Sequence, residues 1–65
     1  MDIDKRTLAE RYLDRAAHFA REGYVIPAYN DLISARNATT DRKEREMVEY
    51  RSQRIGALIL VLLRK

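Results

Sequence analysis

The chain has 65 residues and lacks cysteine and tryptophan altogether, with one histidine, one proline and two glycines. The absence of cysteine excludes disulfides and thiol chemistry. His18 is the only histidine, which excludes a zinc site built from cysteine and histidine. The two glycines, Gly23 and Gly56, lie too far apart to form a glycine-rich phosphate loop, and the carboxylates follow no metal-loop pattern. The sequence therefore predicts neither a cofactor nor a metal ion.

Long hydrophobic runs are also missing. The longest, residues 55–63, has nine residues, whereas a membrane-spanning helix needs about 20. Residues 1–22 mix five acidic with five basic side chains, unlike the apolar core of a secretory signal. We therefore expect a soluble, cytoplasmic protein without a membrane span.

A catalytic constellation is not apparent either. His18 follows Asp14 at a helical step of four residues, but catalysis would also need a nucleophile or an orienting group, and a pocket. The only serines, Ser34 and Ser52, lie in no recognisable motif. The Asp14–His18 pair is typical of an ordinary helix surface. We predict that the protein is not an enzyme.

The composition is that of a folded chain, with 46% hydrophobic and 35% charged residues. Residues 1–65 are long enough for one helical domain. A domain of about 60 residues buries only roughly 60% of its unfolded surface and is marginally stable alone. Tight helix packing or oligomerisation is the remaining route to stability.

Small and aromatic residues recur at helical spacing on both sides of Gly23, which predicts a helical hairpin. Gly23 suits the position just after a helix, because glycine adopts the left-handed conformation without a Cβ penalty. Helix 1 should run from about residue 5 to Glu22, capped by Asp4 or by a Thr7–Glu10 capping box. Its predicted buried stripe is Leu8, Tyr12, Leu13, Ala16, Phe19 and Ala20.

Helix 2 should begin at Pro27 or slightly earlier, since proline is tolerated in a first helical turn, and end near Asn37. Its inward residues are predicted to be Ala28, Leu32 and Ala35, with Tyr29 or Ile33 as further candidates. Helix 3 should run from Arg42 almost to the C-terminus, after a capping signature at Asp41 and Glu44. The sequence thus predicts an all-α, three-helix up-down-up bundle.

The spacing of Tyr12, Ala16 and Phe19, followed by Ala28, Leu32 and Ala35, resembles one tetratricopeptide repeat, with Arg15 in place of the usual leucine. One such hairpin followed by a long helix is also similar to the microtubule-interacting-and-trafficking (MIT) domain, whose third helix would correspond to residues 46–55. The MIT resemblance implies an inter-helical groove that binds short motifs of ESCRT-type filament subunits. Helix 2 is several residues shorter here than is usual for that family, so the groove geometry need not be the same.

We therefore predict a non-enzymatic protein–protein interaction module that binds a peptide or a helix between its helices. The alternative is a small nucleic-acid- or ribonucleoprotein-associated protein that uses the arginines of helix 3. The net charge is +3, and its whole surplus lies in residues 41–65, where basic and acidic residues alternate instead of forming a basic stripe. Arg51 and Arg54, predicted to be exposed, are the candidate partner-binding residues.

The second half of helix 3 is apolar on every face, so it must be covered on every face. It could belong to the hairpin core, form a self-association surface or contact a membrane interface. Because helix 2 is too short to cover all of helix 3, we predict a homo-oligomer, most simply a two-fold dimer. The candidate self-association residues are Ile55, Leu58, Ile59, Leu60, Val61 and Leu62.

Overall fold

The computed structural model describes residues 7–64, which form three α-helices and, within that range, no strand. Helix α1 spans Leu8–Arg21, α2 spans Val25–Asn37 and α3 spans Arg42–Leu63. The most extensive packing is between α1 and α2, and α3 contacts both of them. The predicted all-α, three-helix bundle is confirmed.

The helix ends are set by local hydrogen bonds. The predicted capping box is present at α1, where the Glu10 amide donates to Thr7 Oγ1 at 3.2 Å and the Thr7 amide donates to Glu10 Oε1 at 3.4 Å. The alternative cap, Asp4, lies outside the described residues. Gly23 has a φ of +88°, as expected for the residue that turns the chain after α1. At α3 the Glu44 amide donates to Asp41 Oδ1 at 2.8 Å.

Helix α2 begins at Val25, two residues before Pro27, in agreement with the prediction of a start at Pro27 or slightly earlier. Pro27 thus lies in the first turn, where its missing N–H leaves no hydrogen bond unmade. Tyr24 provides no side-chain cap; its ring instead packs edge-on against Phe19, with centroids 6.3 Å apart. The α1–α2 connection is therefore held by Gly23 and by an aromatic contact.

The core is narrow because much of it is alanine. Five alanines from α1 and α2 are fully buried, so the two helix backbones lie close together. The larger buried hydrophobic residues among those described are only five, namely Leu13, Leu32, Val48, Ile55 and Ile59. The predictions for Leu13, Ala16, Ala20, Ala28, Leu32 and Ala35 are confirmed.

Some residues expected in the hairpin core lie elsewhere. Leu8 is exposed, because it lies on the side of α1 that carries Tyr12 and Arg15 and not on the buried stripe that begins at Ala9. Tyr12 and Phe19 are half-buried at the edge of the core. Tyr29 and Ile33 are exposed, since neither faces α1. One polar residue, Asp31, takes a buried place on α2 instead.

Candidate functional site

An apolar groove of about 620 Å³ lies between α2 and α3. Its α2 wall is mostly aliphatic and aromatic and consists of Val25, Ile26, Tyr29, Leu32 and Arg36. Its α3 wall combines small and large residues from the second half of the helix, namely Ser52, Gln53, Gly56, Ala57, Ile59, Leu60 and Leu63. This groove is concave and mostly apolar and is therefore the candidate functional site.

The groove has a buried floor and exposed rims. Leu32 and Ile59 belong to the core and form the floor. The rims carry large hydrophobic side chains that remain mostly in solvent: Ile26 is 74% exposed, Tyr29 58%, Leu60 58% and Leu63 65%. Four of the nine exposed large hydrophobic residues in the described chain therefore surround this one groove.

Small residues on α3 keep the groove open. Gly56 and Ala57 stand next to each other in the α3 wall, where larger side chains would project toward α2. A Cβ added to Gly56 would meet no heavy atom within 4 Å outside its own helical turn. Glycine costs about 0.5–1 kcal/mol relative to alanine inside a helix. No packing contact in the described part of the chain requires a glycine at position 56.

The groove is almost free of charge. Arg36 is the only charged residue that lines it, and its Nε lies 3.4 Å from Glu49 Oε1 on α3. Ser52 and Gln53 are polar but uncharged, and the Ser52 Oγ is buried and makes no hydrogen bond to any described residue. A ligand that matches this groove is therefore apolar on the side that faces it.

An ion pair that was not predicted from the sequence joins α1 to α2. Arg15 donates from Nε to Asp31 Oδ2 and from Nη2 to Asp31 Oδ1, both at 2.9 Å. The Arg15 guanidinium also lies 5.9 Å from the ring centroids of both Tyr12 and Phe19. The hydrogen bonds to Asp31, followed by the charge of its carboxylate, raise the pKa of Arg15 above its usual value.

A sequence signal for this pair existed. Arg15 precedes Gly23 by eight residues and Asp31 follows Gly23 by eight, so the two residues stand level in an antiparallel hairpin. Opposite charges at equal distances from a turn indicate a cross-hairpin pair. Arg15 also replaces the leucine of the repeat pattern, which is a reason to look for its partner on the facing helix.

The predicted partner-binding arginines lie outside the α2–α3 groove. Arg51 is half-buried rather than exposed, because its Nη2 is 2.9 Å from Asp14 Oδ1 and ties α3 to α1. Arg54 is exposed and lies 5.9 Å from the ring centroid of Tyr50. Both arginines, with Tyr50, Ala17 and Ile55, line a smaller depression of about 210 Å³ between α1 and α3.

The predicted self-association residues divide into three groups. Ile55 and Ile59 are buried in the chain's own core, because they continue the α3 stripe that begins at Val48, and of the two only Ile59 lines the groove, as part of its floor. Leu58 and Leu62 are half-buried. Leu60 and Val61 are exposed, at 58% and 53%, but only Leu60 lines the groove.

None of the helices within residues 7–64 has the length and apolar content needed to cross a membrane. The same residues contain no group of three or more His, Cys, Asp or Glu side chains placed to hold a metal ion. In comparisons with protein families, curated proteins and solved structures, nothing matches this chain. The similarity to tetratricopeptide and MIT domains therefore stays a prediction, and function is inferred from the groove itself.

Proposed function

We propose that this chain is a non-enzymatic protein-interaction module that binds an amphipathic helix or an apolar peptide in the groove between α2 and α3. The observation that carries the proposal is the clustering of Ile26, Tyr29, Leu60 and Leu63 as exposed rims around an open apolar groove. Clustered exposed hydrophobic residues mark interaction sites, whereas single ones are ordinary.

The dimensions of the groove suit a short helix. Its α3 wall extends from Ser52 to Leu63, a stretch that corresponds to roughly 18 Å at 1.5 Å per residue. That length accommodates about three helical turns, so a ligand with apolar residues at i, i+3 or i+4, and i+7 places all of them in the groove. Apart from the first turn of α2, the walls lie inside helices whose backbone groups are paired with one another, so recognition here depends mainly on side chains.

An MIT-like module would find such a ligand in ESCRT-type filament subunits, which remains a prediction from the resemblance alone. The nucleic-acid alternative draws on the arginines of α3. Two arginines of α3 face acidic partners, in the pairs Arg42–Glu46 and Arg51–Asp14, and Glu49 of α3 lies beside Arg36 of α2. This partial neutralisation favours the apolar groove as the functional surface.

A selection of helical peptides from a displayed library, followed by fluorescence anisotropy, tests the proposal. We expect selected peptides to carry the i, i+3 or i+4, i+7 apolar pattern and to bind almost equally well at low and high salt, because little charge lines the groove. Leu60→Glu should weaken binding more than about tenfold, since a rim side chain would be replaced by a charge.

Val61→Glu is the matched control, because Val61 is a neighbouring exposed hydrophobic residue outside the groove. It should leave peptide binding unchanged. Equal losses in the two variants, or a monomeric chain for which the library yields no binder, would refute the proposed function. A nucleic acid that binds with affinity falling steeply as salt rises would instead support the alternative.

A further inference from the structure

Building on the proposed function, we propose that the helix bound in the α2–α3 groove is α3 of a second copy of this chain. The protein is then a two-fold symmetric dimer in which each α3 lies against the groove of the other chain. The self-association surface predicted from the sequence is thereby restricted to the side of α3 that faces the groove. The first turns of α2 also become part of this surface.

The distribution of large hydrophobic residues indicates that part of the surface is covered by another chain. Nine of them are exposed in the described chain, whereas five are buried. The remaining core is alanine, which contributes little apolar area per residue. Domains of this size are marginally stable without disulfides, a metal ion or oligomerisation. Disulfides are excluded here because the chain has no cysteine.

The exposed area in the groove is close to what a small stable dimer needs. The side chains of Ile26, Tyr29, Leu60 and Leu63 are 58–74% exposed and together offer about 300 Å² of apolar surface, at roughly 60–120 Å² for a fully exposed aliphatic side chain and more for tyrosine. The smallest stable interfaces bury about 600 Å² per partner, of which about 350 Å² is apolar.

Gly56 indicates that the occupant is a helix that approaches closely. A Cβ at this position would meet no heavy atom of residues 7–64 within 4 Å, so packing among these residues leaves the glycine unexplained. Glycine is disfavoured inside helices and is found where another backbone comes near. Gly56 lies in the α3 wall, one helical turn before Leu60. A helix in the groove can therefore pack close to the α3 backbone at this position.

A second copy fits because this surface is self-complementary. Gly56, Leu60 and Leu63 follow at steps of four and three and form one stripe along α3. A two-fold axis beside this stripe places Leu60 and Leu63 of each chain in the groove of the other, which is an isologous contact. Residues 55–63 contain no charged side chain, so two copies meet without repulsion between like charges in this segment.

Light scattering coupled to size-exclusion chromatography of the full chain tests the dimer. The sample is loaded at up to about 500 µM, well above the micromolar dissociation constants of weak specific complexes. The molar mass from light scattering should then be twice the 7.7 kDa of one chain. Leu60→Glu should raise the dissociation constant more than about tenfold while keeping the helical circular dichroism spectrum. Val61→Glu should remain dimeric.

Gly56→Gln provides an independent variant. A Cβ at this position meets no heavy atom of the described residues within 4 Å, so the fold should be kept, while a glutamine side chain in the groove wall should raise the dissociation constant more than about tenfold. A wild-type chain that stays monomeric, a Gly56→Gln variant that dimerises normally, or equal losses in Leu60→Glu and Val61→Glu would overturn the proposal.

Binding of a neutral amphipathic peptide, made of leucine and glutamine, shows whether only the dimer or also the helix-binding function is refuted. If the wild-type chain is monomeric and binds this peptide through Leu60, the dimer is refuted and the helix-binding function stands. If it is monomeric and binds no such peptide, both are refuted. Co-sedimentation of the monomer with phosphatidylcholine–phosphatidylserine vesicles, lost in Leu60→Glu, would assign the surface to a membrane and also overturn the dimer.

Discussion

Replacing Arg15 by leucine tests how the hairpin is held together. The substitution supplies the residue that the repeat pattern expects, yet it removes both 2.9 Å hydrogen bonds to Asp31. The Asp31 side chain is only 6% exposed, so water cannot replace the lost donors. The sequence pattern alone would favour leucine here, whereas the structure predicts a less stable protein.

The magnitude follows from the burial of the carboxylate. A buried acceptor that loses its partner costs about 1–3 kcal/mol. In a domain of this size, a change of 1 kcal/mol in the free energy of unfolding shifts the melting temperature by about 4–8 °C. We therefore expect the Arg15→Leu variant to melt at least about 4 °C below the wild type.

The partner substitution supplies the control. Asp31→Leu leaves Arg15 with its guanidinium in solvent, so this single change should cost less than Arg15→Leu. The double variant, with leucine at both positions, should be more stable than Arg15→Leu alone, because two apolar side chains replace a partly buried ion pair. Thermal and urea unfolding followed by circular dichroism measure all three variants. An Arg15→Leu variant as stable as the wild type, or a double variant less stable than Arg15→Leu, would refute this account of the hairpin.

Three further predictions concern single positions and use the same unfolding measurements at low concentration. Gly23→Ala should lower the free energy of unfolding by about 1–2 kcal/mol, because φ is +88° there; an unchanged stability would contradict the strained turn. Asp41→Ala should cost about 1 kcal/mol through the lost cap of α3, whereas a neutral result would mean that this cap does not contribute. Ser52→Ala should raise the free energy of unfolding by about 1 kcal/mol, since its buried hydroxyl has no partner among the described residues; a loss of stability would show that the hydroxyl is satisfied.

The helix boundaries were predictable because their signals are local. The capping box at Thr7 and Glu10, the cap at Asp41 and the left-handed Gly23 each act within a few residues, and all three are present in the structure. Periodicity also identified the small residues that face each other in the hairpin. Local hydrogen bonding and steric preference determine these features, so they can be read from short stretches of sequence.

The groove was not located from the sequence because its position depends on how α3 lies across α1 and α2. Helical periodicity assigns residues to faces but does not give the angle between two helices. In α3 the apolar second half also has no polar face to orient it. A partial signal was present, since Val48, Ser52, Ile55 and Ile59 follow at steps of four, three and four and form the buried stripe. Extending that stripe from Val48 would have assigned Ile55 and Ile59 to the core and left Leu60 facing outward.

The most direct test of the central claim, that the α2–α3 groove receives a helix from a second chain, is an isotope-filtered NOE experiment. A mixed sample of ¹³C,¹⁵N-labelled and unlabelled full-length chains reports only contacts between different molecules. We predict intermolecular NOEs from the Tyr29 ring to the methyl groups of Leu60 and Leu63. Absence of intermolecular NOEs, or their restriction to Ile33 and Tyr50 on other surfaces, would contradict the account.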